Sequence, residues 1–514
     1  MHWINATLCL IALPALWWGF HAKQPGRHRS VVVFLLILIG ISAWFRFDPL
    51  HSSGSPVHPH ELYHYAVNAK YYQELGYFEI YRCTAKALRE LGDGAELRRY
   101  RIRDLDNNKL KRGNWAETTA GSCRAEFSPD RWQTFKRDIS IFRNQFGLKL
   151  LARAVADHGY NATPVNNAFL SLWVTDIQFD TAHLARIILL DSVFVILILL
   201  FIYKGFGIQC CTIAALFIGL GAPWSYEWIG GGFGRMTWVV FLTAGMAFLH
   251  KKWYFLAGAT LALSSLFRLF PIAFLAAAAL YFLIVSIQNK RLSPALVPFI
   301  AGAIITLVAG ISWAGWMYGF DSFPAFYQVM LRHTGTPLAN HMGLPALLGW
   351  EPGQSVANLI DQRLDDPFET WKTTFVAMQA SRNWIWVTGM ALSVGLMVAI
   401  LMRRVPTIWS LPLVGYFLLT AISMTNYDTI WMIVFAPLIA GNLFRTACLF
   451  IWLLSMQLIA QFDPGFQEQF LLYTVSALTF VIAIAFNVLS QTKKEPLNRD
   501  QNFSSNNASS HNIN

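Results

Sequence analysis

Apolar residues run in blocks along most of this chain, and the blocks are too long and too closely spaced to be the interior of one soluble domain. About thirteen of them reach roughly 15 to 22 residues, near the length at which a helix crosses a hydrocarbon core about 30 Å thick. They cover 3–20, 30–46, 183–203, 209–226, 236–250, 253–267, 269–287, 295–318, 384–402, 406–424, 429–444, 447–462 and 470–489. The pattern predicts an all-α fold: a polytopic membrane helix bundle of about 13 spans carrying a mostly helical domain made from a loop on its outer face.

The polar positions between the blocks orient them. Lys and Arg concentrate in short cytoplasmic loops, and alternate connections separate on this criterion. One set holds Lys23, Arg27 and Arg29, then Lys204, Lys251 with Lys252, Lys290 with Arg291, Arg403 with Arg404, Arg445, and Lys493 with Lys494. The other set, at 230–235, Arg268, Asn426 to Asp428 and Gln461 to Glu468, is poor in Lys. This predicts a multi-pass plasma (inner) membrane protein with its N-terminus outside and its C-terminus in the cytoplasm. Residues 1–29 form an extra N-terminal span with its cytoplasmic loop, and 30–490 form the membrane domain. The long segments 47–182 and 319–383 are inserted as outer loops, and 491–514 form a polar tail expected to be disordered. A secretory signal would begin with a basic segment, which Met1 to Phe20 lacks, so the first block is read as a retained span.

The first outer loop shows helical punctuation. Residues 60–75 contain neither Gly nor Pro and stop at Gly76. At helical spacing Glu61, His64, Tyr65, Asn68 and Tyr72 share one face, with Leu62, Ala66, Ala69 and Gln73 on another. A helix is expected at 83–91, and another at 129–157, where Ser128 is a cap and Pro129 takes the first helical position. The second outer loop lacks strong periodicity. Its marked part runs from His333 to Leu344 and includes Asn340 and His341, a density of polar side chains suited to a shaped surface.

Candidate chemistry gathers on the same side. Asp48 follows directly on the second span, where partial desolvation can tune a carboxylate into a base. Glu61 and His64 come next as catalytic candidates, with Tyr65 and Asn68 beside them. The Gly230 to Gly234 run allows close backbone approach, Arg235 ends it, and Arg268 interrupts a stretch too long for one span. With His333, Asn340 and His341, both arginines are candidate substrate ligands, the guanidinium groups suiting phosphate. Asp191 is the one acid well inside a span, where Arg186 or a neighbouring helix is the expected partner. Two acidic pairs, Asp104 with Asp106 and Asp365 with Asp366, read as turns.

Composition changes this picture little. The chain has 514 residues, 55% of them hydrophobic and 13% charged, as a membrane protein requires. Its net charge of +11 does not point to nucleic acid, because the cytoplasmic loops claim many of the cations. One basic stretch lies outside them: Arg98, Arg99, Arg101 and Arg103, continued by Lys109, Lys111 and Arg112. It suits either a headgroup-facing surface or a site for an anionic lipid or pyrophosphate. Of six cysteines only Cys83 and Cys123 fall in an outer loop, where an oxidising compartment makes them a disulfide candidate. No CxxC or His/Cys metal spacing occurs, so metal ligands are unassigned and a divalent cation is the one cofactor left open.

A multi-span chain whose first large outer loop opens with an acid after an early span, Phe47-Asp48-Pro49 here, and then runs along the membrane as helices resembles the GT-C class of membrane glycosyltransferases. The likeness is architectural and extends over about 30–490. It implies a glycosyltransferase that moves a sugar from a polyprenyl-phosphate donor to an acceptor at the outer face, with membrane lipid and the lipid-linked sugar as partners. Asp48 becomes the candidate base, Glu61 and His64 the next candidates, and Arg235 or Arg268 the ligand of the donor phosphate. The chain departs from the pattern in its extra N-terminal span and in lacking an acidic pair near Asp48. The block from His60 to Tyr77 is also similar to uncharacterised bacterial multi-span membrane proteins. Two other classes stay open: a transporter or flippase for a lipid or small solute, and a non-catalytic assembly protein.

Overall fold

The computed structural model describes residues 2–21, 27–47, 51, 56–113, 115, 123–402 and 414–491. Asp48, part of the expected tenth span and the expected disordered tail therefore lie outside the described residues. The described chain is mostly helical, and six of its helices are long and apolar enough to cross a membrane: His2–Phe20, Leu189–Phe206, Leu296–Tyr318, Asn383–Ile400, Leu443–Phe462 and Phe466–Gln491. Four further apolar helices, His28–Trp44, Thr237–His250, Tyr254–Phe267 and Ile272–Gln288, are shorter.

Two expected spans take another form. The block at 209–226 breaks at Gly221 into Ile208–Leu220 and a short continuation to Ile229, bent by 78°. Pro223 lies at the start of the second piece, where it cannot continue the first helix's ladder. The block at 429–444 is not an α-helical span. It is a 3-10 helix, Asn426–Phe435, followed by the short Ala436–Ile439, and it is buried almost throughout. Irregular backbone at membrane depth is tolerated only where protein surrounds it.

Small residues bring the bundle's helices together. A Cβ on Gly258 would stand 1.9 Å from the Phe299 carbonyl oxygen, and one on Gly302 would stand 2.0 Å from that of Phe255. Helices Tyr254–Phe267 and Leu296–Tyr318 thus touch backbone to backbone, the kind of packing that holds helices together where lipid supplies no hydrophobic drive.

The loop domain has its own core, centred on Tyr63, Tyr71, Ile80, Phe135, Ile139 and Phe142. Lys70 and Tyr71 both donate to Asp138 Oδ2, each at 2.6 Å, and a buried charge pair of this kind persists because neither partner is left alone. Cys83 and Cys123 are disulfide-bonded. The helix expected at 129–157 is two helices, Pro129–Phe146 and Leu148–Ala154, divided at Gly147, whose φ of 81° is left-handed. Ser128 caps the first by accepting from the Arg131 N–H. Thr163 and Pro164 start a further helix, Pro164–Val174.

The basic stretch from Arg98 to Arg112 folds in part as an antiparallel hairpin, Arg101–Asp104 against Lys109–Arg112. Its neighbouring acids serve as partners for cations: Arg82 reaches both Asp104 and Asp106, and Asp366 binds Lys372 at 2.8 Å. The 319–383 segment is more regular than its sequence suggests, with helices Ser322–Thr334, Leu344–Leu348 and Glu369–Ser381. A two-residue antiparallel pairing, His341 opposite Thr425 and Met342 opposite Met424, fastens it to the 3-10 segment.

Candidate functional site

The site is organised by the segment that follows His58. Its Nδ1 accepts the Glu61 N–H at 3.3 Å, Pro59 enters as the first helical residue, and Gly76, with φ of 52°, ends the run. Between them the helix widens into a π-helical turn, Tyr63–Val67. Such turns are rare and tend to sit at functional sites. The expected single polar face is divided here. Glu61 and Tyr65, one turn apart, face Arg235, whereas His60 and His64, also one turn apart, face Asp157. Tyr72 packs on Tyr318 and Tyr77, and Asn68 is 1% exposed with both amide atoms unpartnered among the described residues.

Arg235 ends a glycine loop whose shape is held from two sides. Asp191, deep in a span, accepts the Gly232 N–H at 2.8 Å, so its partner is this loop's backbone. Gly231 O accepts the His58 N–H at 3.1 Å, and a Cβ on Gly231 would stand 2.3 Å from the Pro56 carbonyl oxygen. The guanidinium group forms an ion pair with Glu61 and lies between two rings, 5.0 Å from Tyr65 and 4.2 Å from Tyr427. Its Nη1 is buried and makes no hydrogen bond among the described residues.

Arg268 follows helix Tyr254–Phe267 in extended backbone. Its Nη2 donates to Asp428 Oδ2 at 2.8 Å, and its Nη1 lies 3.4 Å from both the Tyr65 hydroxyl and Asn161 Oδ1. Thr425 donates to the same Asp428 oxygen at 2.7 Å. Tyr65 therefore touches both arginines, and the three residues line one small cavity of about 10 Å³, room for about one water, with Asn166, Tyr427 and Asp428.

Beside this pair stands a second cluster. His60 Nε2 is 3.2 Å from Asp157 Oδ2, and His64 Nε2 is 3.9 Å from the same oxygen and 2.5 Å from the Tyr81 hydroxyl. Arg103 fixes the turn that carries Asp157 by donating to its backbone oxygen at 2.9 Å. The Asp157 side chain keeps 41% of its surface accessible and that of His60 keeps 33%, while that of His64 keeps 4%, so the cluster is sunk into the protein and open on one side only. Burial alone would lower the His60 pKa, but the hydrogen bond and charge of Asp157 reverse this and raise it. The same contacts hold Asp157 well below the ordinary carboxylate range against the opposing effect of burial. Burial pulls His64 down to about 4, helped by the charge of His60, leaving a neutral ring at pH 7.

His333 connects the two clusters electrostatically. Burial lowers its pKa, Arg268 and Arg235 lower it further, and Asp157 and Asp428 oppose them, so all four charges act on one imidazole. Asn340 and His341 are engaged in joining segments: Asn340 Nδ2 donates to Asn426 Oδ1 at 3.0 Å, and His341 lies in the paired strands. Asp48 lies outside the described residues. On either side of it, Arg46 and His51 both approach Glu227, at 2.8 Å and 3.7 Å.

The sequence reading did not single out His60, Asp157, Asn161, Tyr427 or Asp428 as site residues. Their signal was topological: each falls in a segment that the Lys and Arg pattern assigns to the same face as Glu61, Arg235 and Arg268. No family model, no curated protein and no solved structure matches the chain.

What the arrangement offers chemically is two fixed guanidinium groups, paired with Glu61 and Asp428, beside the ionised Asp157 and the neutral His64 and His333. That set can hold an anion and place a polar group next to it.

Proposed function

We propose that this protein is a membrane glycosyltransferase of GT-C type that takes a sugar from a polyprenyl-phosphate donor at the outer face of the membrane. The observation that carries the reading is that Arg235 and Arg268 meet on Tyr65 in one pocket, and that His333 lies within electrostatic reach of both and of Asp157. In this reading the arginines hold the donor phosphate. A carboxylate base removes the acceptor hydroxyl's proton, and the acceptor oxygen attacks the sugar's anomeric carbon. The bond from that carbon to the phosphate oxygen breaks, and polyprenyl phosphate leaves with the electron pair, its charge met by the guanidinium groups. Asp48 is the base suggested by resemblance, and Asp157, already ionised, is the described alternative.

The reading keeps the thirteen-span topology, with the N-terminus outside and the C-terminus in the cytoplasm, because the segments it assigns to one face are the ones that converge on the pocket. The test is incubation of purified protein with labelled polyprenyl-phosphate sugars. Product formed by the wild type and lost in Arg268→Gln supports the reading, and full turnover by that variant removes it.

One observation favours a transporter as the second reading. The bent pair at Gly221 and the 3-10 segment Asn426–Phe435 are discontinuous helices, and transporters build midplane sites from such breaks. Movement of a labelled lipid across reconstituted vesicles without any product would select it.

A further inference from the structure

His60, His64 and Asp157 have a property that the transfer reading does not use. Their ligand atoms, two imidazole nitrogens and a carboxylate oxygen, all lie within 4.8 Å of one another. The spacing arises from the fold: the histidines are one helical turn apart, with ring centroids separated by 4.5 Å, and the turn after Leu148–Ala154 brings Asp157 against both.

The tautomer of His64 follows from its neighbours. Its Nδ1 is 2.8 Å from the His60 carbonyl oxygen, which can only accept, so Nδ1 carries the proton and Nε2 presents a lone pair. Metal-binding histidines are commonly oriented by such a bond from the other ring nitrogen. In the structure the lone pair is taken by the Tyr81 hydroxyl at 2.5 Å, a neutral donor that a cation can displace. The other close group of this kind among the described residues, Glu79 with Cys83 and Cys123, is already used by the disulfide.

We propose that His60, His64 and Asp157 form a binding site for a divalent transition-metal cation of the zinc class. Two imidazoles and one carboxylate suit zinc and its neighbours better than magnesium or calcium, which prefer all-oxygen sets. Three protein ligands leave a coordination position open to water or substrate. Binding is independent of the transfer reading. Any use of the cation in transfer rests on that reading, and then Asp157 is a ligand and the base falls to Asp48.

The test uses the full-length protein in detergent, stripped with a chelator and titrated with Zn²⁺ against a chromophoric competitor, with no lipid substrate present. The wild type should bind one equivalent. His64→Ala and Asp157→Asn should each weaken binding by at least about tenfold, while His250→Gln should leave it unchanged. Tyr81→Phe keeps the ring and removes the competing hydroxyl, so it should bind Zn²⁺ at least as tightly as the wild type. Absence of binding by the wild type, equal binding by the His64 and Asp157 variants, or loss of binding in Tyr81→Phe overturns the proposal. Zinc binding without sugar transfer would overturn the transfer reading alone.

Discussion

Arg235 closes an ion pair with Glu61 across 174 residues of sequence, joining the glycine loop after the bent helix to the first turn of the loop domain. Both side chains are at most 9% exposed. Removing one partner leaves a buried charge without compensation, which costs about 3 to 5 kcal/mol. Glu61→Ala should therefore lower the melting temperature in detergent strongly, and Glu61→Leu combined with Arg235→Met should recover most of the loss. Equal melting temperatures for Glu61→Ala and wild type would remove the pair's structural role.

The loop domain should depend on its disulfide. Cys83 and Cys123 close a loop of sequence separation 40, and cross-links of this size contribute about 2 to 4 kcal/mol. A reductant should lower the melting temperature of the wild type and leave that of the Cys83→Ala, Cys123→Ala double variant unchanged. A wild type insensitive to the reductant would show that the link contributes nothing.

His341 gives a pH dependence with a definite sign. Burial, reinforced by the neighbouring His333, holds its pKa down to about 3, while an unfolded imidazole titrates near 6.5. Between those values the unfolded chain binds a proton that the folded protein refuses. Stability contributed this way is present above the unfolded value and falls as pH falls, by about 1.4 kcal/mol per pH unit for one group. His341→Asn should flatten the decline in melting temperature from about pH 6 to about pH 4.5. Parallel profiles for variant and wild type contradict this assignment.

Close helix contact makes Gly258 and Gly302 intolerant of side chains. With a Cβ only 1.9 Å or 2.0 Å from a carbonyl oxygen, the helices must move apart. Gly302→Leu should cost at least the roughly 1 to 3 kcal/mol of ordinary overpacking and reduce the monodisperse peak on size exclusion. An unchanged yield and elution profile would contradict the packing.

Much of the bundle was legible because apolar length is a strong signal: helices such as Leu296–Tyr318 and Phe466–Gln491 lie where the hydrophobic blocks place them. The Asn426–Phe435 segment was not, since a buried 3-10 stretch and a spanning helix share the same apolar composition. Arg235, Arg268, Glu61 and Tyr65 stood out as polar residues at helix ends and loops of one face, and they do meet. In the sequence Asp157 reads only as the end of a helix, because its partners His60 and His64 lie about a hundred residues earlier and only tertiary folding brings them near. The π-helical turn at Tyr63–Val67 also escaped a strict 3.6-residue reading, which placed His64 on the same face as Glu61.

Transfer as proposed requires Arg235 and Arg268 to hold the phosphate of a lipid-linked sugar. Its most direct test is single-turnover transfer from a labelled polyprenyl-phosphate sugar by wild type and Arg268→Gln, with both proteins shown to be folded by size exclusion. Product should form with the wild type, at a rate about a hundredfold or more lower in the variant, the usual size of a lost transition-state donor. Equal rates in the two proteins would contradict it.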